Sequence, residues 1–386
     1  MIGSLDGVRV VDVTTSVAGP FATLILGDLG ADVVKVERPG SGDDTRRWGP
    51  PFWNGESPHF TAFNRNKRSV VMDLKEPADA ERFRALVDAA DVLVQNLRPG
   101  AMDALGFGYD TLSATNPGLI HCDMTGYGSG GPLSDRPAYD PLLQAFSGLM
   151  SMTGEPGGAP ARIPVSVLDQ GTGMWAAIGI LDALRRRERT GRGTRFEVSL
   201  LNTALMWLPA QFGNYFADGT VPRRLGSGTI GIYPYGAFPT ADGSAVVAAG
   251  NQVLWTRLCG VIGRRDLIED TRFADNPGRV DHRDELHAEL AATLSTRPTA
   301  YWTESLGAVG VPCTPIQTLD QVAEHEQVKA IGAFGSVPHP AIPDFRTVHL
   351  PVRDADGYPA LSRPAPGLGE HDSEFADGWP SARDNA

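Results

Sequence analysis

The sequence predicts an α/β protein, in which a large domain built on a parallel sheet is joined to a smaller α+β domain. Three observations predict it. Short apolar, β-branched runs alternate with helical patterns through the first half. The strand–helix–strand repeat closes within about 30 residues, the length of a βαβ unit. Near Arg223 that rhythm gives way to a glycine-rich stretch and a hairpin pattern.

Taken in order, Val8–Val13 reads as the first strand. Gly19-Pro20 opens a helix over Phe21–Leu29, with proline in the first turn, where a missing N–H costs nothing, and Gly30 just past the end. Ala31–Glu37 is the second strand; Ser69–Leu74, Asp91–Asn96 and Leu119–Met124 are further ones, with a helix over Pro77–Ala90. Strands that return parallel after a crossover make a doubly wound, Rossmann-like sheet. Arg38–Lys67 is a long loop rich in Gly, Pro and aromatics, and loops of that length are usually functional. Helices follow over Tyr139–Met152 and Gln170–Arg189, then a short strand and helix over Arg192–Leu201. The second domain has strands at Tyr233–Phe238 and Ser244–Ala249 around the Ala241-Asp-Gly243 turn. Its helices are Gln252–Ile262, Arg283–Leu294 and Ala300–Leu306. The expected division is 1–215 for the large domain, 220–330 for the small one, and 331–386 for a segment returning to the large domain.

The 386 residues carry 34 Lys+Arg against 46 Asp+Glu, a net charge of −12. That surplus argues against nucleic acid or anionic lipid as a partner, since both need a cationic patch. Cys122, Cys259 and Cys313 lie too far apart for a disulfide framework or a metal site, and a cytoplasmic setting is expected. The polar opening has no leader pattern, and no run approaches ~18 apolar residues, so no membrane span is expected.

Basic residues gather at Arg38, Arg46-Arg47, Asn64-Arg-Asn-Lys-Arg68, Lys75 and Arg98, mostly at predicted strand ends. Ligands of open α/β sheets bind there, so the cluster suits a polyanion such as a nucleotide phosphate, or is a set of solvated charges. The spacing Gly19, Gly27, Gly30 is not the dinucleotide fingerprint, and Glu37 reads as an exposed strand-end charge rather than a ribose ligand. Asp169 heads a helix with an apolar stripe at Met174, Ala177, Ile178, Leu181 and Leu184. It reads as an N-cap, and a carboxylate so placed stays ionised near neutrality and is able to attack an activated acyl carbon. No nucleophile elbow, P-loop or H-E-x-x-H motif occurs, and Cys122 reads as core.

Several motifs together resemble the class III CoA-transferase family, whose members include formyl-CoA and carnitine CoA-transferases, with α-methylacyl-CoA racemases as close relatives. They are Gly19-Pro-Phe-Ala-Thr23, Leu26–Gly40, Asn64–Arg68 with Met72-Asp-Leu-Lys75, and Asn96-Leu-Arg-Pro-Gly100. Tyr139-Asp140, Ser147–Met150, Gly191-Arg-Gly193, Gly310–Pro315 and Leu368–His371 complete the match. The resemblance runs from Val8 to about His371.

The resemblance implies that Asp169 is the catalytic aspartate, passing through a mixed anhydride and an aspartyl-CoA thioester. It implies coenzyme A, a substrate and not a resident cofactor, along Val17, Arg38, Met72, Lys75, Asn96, Leu97, Arg98 and Ala101. It places Trp48 and Tyr139 near the acyl group, and Gly226 and Gly228 in a substrate-covering loop, here interrupted as Gly226-Ser-Gly-Thr-Ile-Gly231. No metal is required. The partners implied are an acyl-CoA, a small carboxylic acid and a second copy of the chain in an interlocked homodimer. Basic residues found in relatives are replaced here by Ala104 and Pro137, so that either Arg136 substitutes or the phosphate grip is weaker.

Arg46, Arg47 and Arg65 near Trp48 suit a second carboxylate, which favours a dicarboxylate acceptor with succinyl-CoA as donor. Two alternatives stand beside transfer. A racemase needs an acid and a base flanking the α-carbon, and Tyr139-Asp140 lacks the histidine that racemases carry there. A non-catalytic CoA-binding protein would not require an aspartate at position 169.

Overall fold

The structure, a computed structural model, describes residues 3–380. It divides into two units, one of Met1–Leu149, Ile163–Asp218 and Lys329–Ala386, the other of Met150–Arg162 and Gly219–Val328. The short stretch 150–162 therefore belongs with the second unit, although nothing in its composition marks a boundary.

In the first unit β1 (Arg9–Val13), β2 (Asp32–Glu37), β3 (Lys67–Val71), β4 (Val92–Gln95), β5 (Ile120–Thr125) and β6 (Thr194–Ser199) form one sheet. All pair in parallel, in the order β3-β2-β1-β4-β5-β6. Successive side chains face opposite sides of the sheet: Val10, Val33, Val92 and Val94 join one apolar cluster, Val11, Val34 and Leu93 the other. Both faces are buried, which is why these strands read as unbroken apolar runs. Helices Ala18–Asp28 and Val167–Thr190 close one face; Pro77–Asp88 and Tyr109–Thr115 close the other.

The first pair of helices meets backbone to backbone. A Cβ on Gly173 would stand 2.7 Å from the Ala18 carbonyl oxygen and 3.1 Å from the Ala22 nitrogen. Only glycine allows that approach, and it fixes where the head of Val167–Thr190 lies. The helix expected over Tyr139–Met152 is broken: Asp140–Phe146 ends at Ser147, Gly148 turns the chain with φ 91°, and Leu149–Met152 follows. The stretch Arg38–Lys67 holds structure of its own, a 3-10 turn at Asp44–Arg47 and a helix at Pro58–Phe63.

Much of the expected basic cluster is structural. Lys67 is 1% exposed; its Nζ lies 3.1 Å from Asp12 Oδ2 and donates to the Pro20 carbonyl oxygen and Asn64 Oδ1. Burial outweighs Asp12 and pulls Lys67 down to about 8. Lys35, outside that cluster, is also fully buried, with Nζ 2.9 Å from Asp43 Oδ2 and donating to the Thr14 carbonyl oxygen at 2.7 Å. Arg65 pairs with Asp28 at 2.6 Å, and Arg68 with Asp32 and Glu374. Partners for these cations are remote in sequence, so the cluster reads as a ligand site until the sheet assembles. Lys35→Met removes a buried cation from two carboxylates, Asp12 and Asp43. The expected loss is about 3–5 kcal/mol of stability, read as a fall in the urea midpoint at pH 7.

The C-terminal segment packs on the same sheet. The His371 amide donates to the Ser69 carbonyl oxygen, Phe375 enters the second cluster, and Trp379 Nε1 donates to the Leu86 carbonyl oxygen.

In the second unit β7 (Tyr235–Pro239), β8 (Ser244–Ala248) and β9 (Cys313–Pro315) form an antiparallel sheet in that order. Helices Gln252–Ile262, Arg283–Leu294 and Thr299–Ala308 pack on it around Trp255, Phe238, Leu290 and Trp302. Among the described residues, no helix is long and apolar enough to cross a membrane.

Candidate active site

The strand order of the first unit reverses between β1 and β4, and open α/β sheets bind ligands beyond the carboxyl ends of strands at such a point. The two strand ends are clasped there. Asn96 Oδ1 accepts from the Thr15 amide at 3.0 Å, and Asn96 Nδ2 donates to the Thr15 carbonyl oxygen at 2.8 Å. Asn96 therefore shapes the crevice as well as lining it.

A cavity of about 370 Å³ opens at this clasp, lined by Trp48, Asn96, Leu97, Arg98, Tyr139 and Asp169 among others. These six residues are gathered as the sequence reading expects. The rest of the expected coenzyme contacts lie outside the lining. Val17 is 3% exposed at the N-cap of Ala18–Asp28, and Met72 is 2% exposed in the second apolar cluster. Lys75 is exposed in the turn after β3, and Ala101 opens the short helix Ala101–Ala104. Arg38 is exposed, donating to Ser41 Oγ and paired with Asp44, which does line the cavity. Arg136 lines the cavity too, beside Pro137, so Arg98 and Arg136 are its cations. Gly226 and Gly228 belong to the second unit and line a cavity there.

Asp169 is not an N-cap. The helix begins two residues earlier, at Val167, and Ser166 at its cap makes no side-chain cap bond. The capping acceptor comes instead from Asp140, whose Oδ2 accepts from the amides of Leu168 at 2.7 Å and Asp169 at 3.2 Å. These are the second and third N–H groups of the helix, the ones a local cap normally satisfies. Asp140 is 2% exposed and is held by Gln144 Nε2, which donates to Oδ1 at 2.5 Å. Gln144 in turn accepts from the Ile163 amide at 2.8 Å.

The charge state of Asp169 also departs from expectation. Burial, and then the like charge of Asp140, push its carboxyl up to about 7. Both outweigh the helix dipole, whose pull is about a kcal/mol. An acid so poised is half ionised near neutrality, poorly hydrated and reactive once charged.

Two of the three arginines expected to hold a second carboxylate here are engaged elsewhere. Arg46 forks onto Glu37, Nε to Oε2 at 2.8 Å and Nη2 to Oε1 at 2.6 Å, and Arg65 is locked on Asp28. Arg47 lies near Asp44 at 3.7 Å. Glu37 is 4% exposed rather than an exposed strand end, and also accepts from Ser69 Oγ at 2.6 Å and the Asp43 amide at 2.9 Å. Cys122 is fully buried in β5, and burial, then Asp123, push its thiol well above the usual range.

Residues 5–372 match CoA-transferase family III. The chain is 39% identical over 367 residues to succinyl-CoA:glutarate CoA-transferase of Mus musculus, covering 95% of this chain and 84% of that protein. It is 41% identical over 329 residues to acetyl-CoA:oxalate CoA-transferase of Acetobacter aceti, covering 85% and 84%. The crystal structure of a CAIB/BAIF family protein from Brucella suis matches with a TM-score of 0.87 at 36% identity, covering 97% of this chain and 99% of that one. The class is thus an enzyme that transfers coenzyme A. The chain belongs to CoA-transferase family III.

Proposed function

We propose that the chain moves CoA from a donor thioester, with succinyl-CoA the leading candidate, to a small carboxylic or dicarboxylic acid through covalent intermediates on Asp169. The observation that carries this reading is the position of Asp169. It stands in the switch-point cavity, at the head of a helix capped from outside, with its carboxyl raised to about 7. Asp44, another acid of the lining, is paired with Arg38.

The chemistry balances without a redox partner. A carboxylate oxygen of Asp169 attacks the thioester carbonyl carbon; the C–S bond breaks, CoA leaves as thiolate, and a mixed anhydride remains. The thiolate attacks the aspartyl carbonyl carbon, releasing the donor as free carboxylate and leaving CoA on Asp169 as a thioester. The acceptor carboxylate then attacks that thioester and expels the thiolate, forming a second anhydride. The thiolate finally takes the acceptor's acyl carbon and frees Asp169. Arg98 and Arg136 supply positive charge for the coenzyme's phosphates. The family resemblance implies an interlocked homodimer and the sparse cysteines a cytoplasmic setting, and we adopt both as part of the proposal.

Racemisation is the weaker reading, since among the described residues no histidine lines this cavity to serve as a second proton carrier. Mixing the protein with succinyl-CoA and a panel of free acids in deuterated water separates the two. New CoA esters of the acids are the expected result, read by mass spectrometry. Deuterium gained at the α-carbon of a branched acyl-CoA, with no new ester, would sink the transfer reading.

A further inference from the structure

The second unit holds a cavity of its own, about 700 Å³, within the range of small-molecule sites. Three arginines line it: Arg223, Arg224 and Arg283. None has a carboxylate partner among the described residues. Elsewhere in this unit Arg264 holds Asp266 and Glu289, and Arg272 holds Asp270 and Glu285, while the buried Arg279 is satisfied by the Tyr233 and Phe273 carbonyl oxygens and Gln252.

Arg283 projects from the helix Arg283–Leu294 and is anchored on one side only, Nη2 donating to the Thr229 carbonyl oxygen at 2.7 Å over the Tyr233 ring. Its Nε and Nη1 make no hydrogen bond among the described residues. Gly228 makes room for that guanidinium, since a Cβ there would stand 2.9 Å from Arg283 Nη1. Burial, and after it the charge of Arg223, hold Arg283 below its ordinary value, against the opposing pull of Tyr233 and Asp284. Arg224 is fixed separately, Nη1 donating to the Ser151 carbonyl oxygen at 3.2 Å, with a buried Nε left unbonded.

Two further features narrow the ligand. Tyr233, Tyr235, Phe238 and Leu225 give the wall an aromatic and aliphatic face, which suits a hydrocarbon chain and offers nothing to a bare phosphate. Glu155 and Asp284 also line the cavity, so its three arginines exceed its carboxylates by one, a balance that favours a ligand of low charge over one as highly charged as the coenzyme's phosphates.

We propose that this cavity binds a short dicarboxylic acid, one carboxylate on Arg283 and Arg223, the other on Arg224, with the methylene chain against the aromatic wall. The proposal rests on the reading that the enzyme exchanges CoA between small acids, and it assigns the recognition of a dicarboxylate to this unit. Of the sequence-based candidates in the first unit, Arg46 and Arg65 are held by Glu37 and Asp28, and Arg47 lies near Asp44 at 3.7 Å.

The test is calorimetric titration of the full chain with glutarate, butyrate, inorganic phosphate and CoA, for wild type, Arg283→Gln and Arg223→Gln. Among the described residues Arg223 makes no hydrogen bond or ion pair, so its variant keeps the test sound if Arg283→Gln folds poorly. Each substitution is expected to weaken glutarate by about tenfold or more and leave CoA binding unchanged. The KM for glutarate as acceptor rises to match, with kcat and the KM for the CoA donor little altered. Unchanged glutarate binding in both variants overturns the proposal. Equal losses for butyrate overturn the dicarboxylate assignment, and a parallel loss for phosphate or CoA makes this a phosphate site instead. Arginine-dependent glutarate binding by a wild-type protein that transfers no CoA keeps this site and defeats only the transfer reading.

Discussion

Asp169→Asn abolishes CoA exchange while leaving CoA binding intact. Asparagine keeps the shape but has no nucleophilic oxygen anion, so neither the anhydride nor the aspartyl thioester forms. Loss of a covalent nucleophile costs roughly four orders of magnitude or more in turnover. On the proposed reading other residues hold the coenzyme's adenine and phosphates, so dissociation constants for CoA are expected to stay within about twofold. Incubation with an acyl-CoA adds the coenzyme's mass to the wild-type chain and adds nothing to the variant. Exchange retained by the variant would remove Asp169 from the mechanism. The same substitution carries a signature in stability. The folded-state carboxyl sits at about 7, above its ordinary value, so the folded protein holds the proton more tightly than the unfolded chain. That contribution is fully present below about pH 4 and is lost as pH rises through about 7. The asparagine variant is therefore expected to show a higher Tm than wild type at pH 8, and no such advantage at pH 4.

Asp140→Asn has the second-largest expected effect, and it works through Asp169. Two causes raise the Asp169 carboxyl, burial first and the Asp140 charge second. Removing that charge leaves burial in place and lowers the value from about 7. In wild type kcat/KM rises with pH through about 7, as the nucleophile ionises. In the variant that limb moves to lower pH by about one unit or more. The helix head suffers as well, because an amide oxygen replaces the carboxylate that accepts from Leu168 and Asp169. That exchange of a charged acceptor for a neutral one costs about 1–2 kcal/mol. Profiles from pH 5 to 9 for both proteins decide the matter, because a cap without electrostatic influence would lower stability and leave the limb where it was.

The sheet was legible because its strands are buried on both faces and bounded by glycine and proline. Val8–Val13 and Ala31–Glu37 shift by a residue at most in the structure. β9 is only Cys313–Pro315, too short to carry a period, and it went unread. Within the site, Asp169 stood out through its helix, whereas Asp140 did not. The separation of 29 positions between them hides a capping bond that no local motif announces. Charges were the least legible. Arg46, Arg65 and Lys67 look like ligands in a row of letters, and become scaffold once Glu37, Asp28 and Asp12 are brought to them across the sheet. The arginines of the second unit erred the other way, since nothing in Arg223-Arg224 or Arg283 alone shows that they share a cavity.

Glu37 ends β2 at the place where dinucleotide-binding sheets keep the acid that grips a ribose hydroxyl. Here both of its oxygens are claimed by the Arg46 fork, with Ser69 and the Asp43 amide as further donors. A nicotinamide nucleotide arriving at this crevice would meet a saturated acceptor, and freeing that acceptor would strand a guanidinium inside the protein. The acid therefore persists at this position with both oxygens answered from within the protein. Anyone wishing to convert this scaffold toward hydride chemistry would have to begin by evicting Arg46.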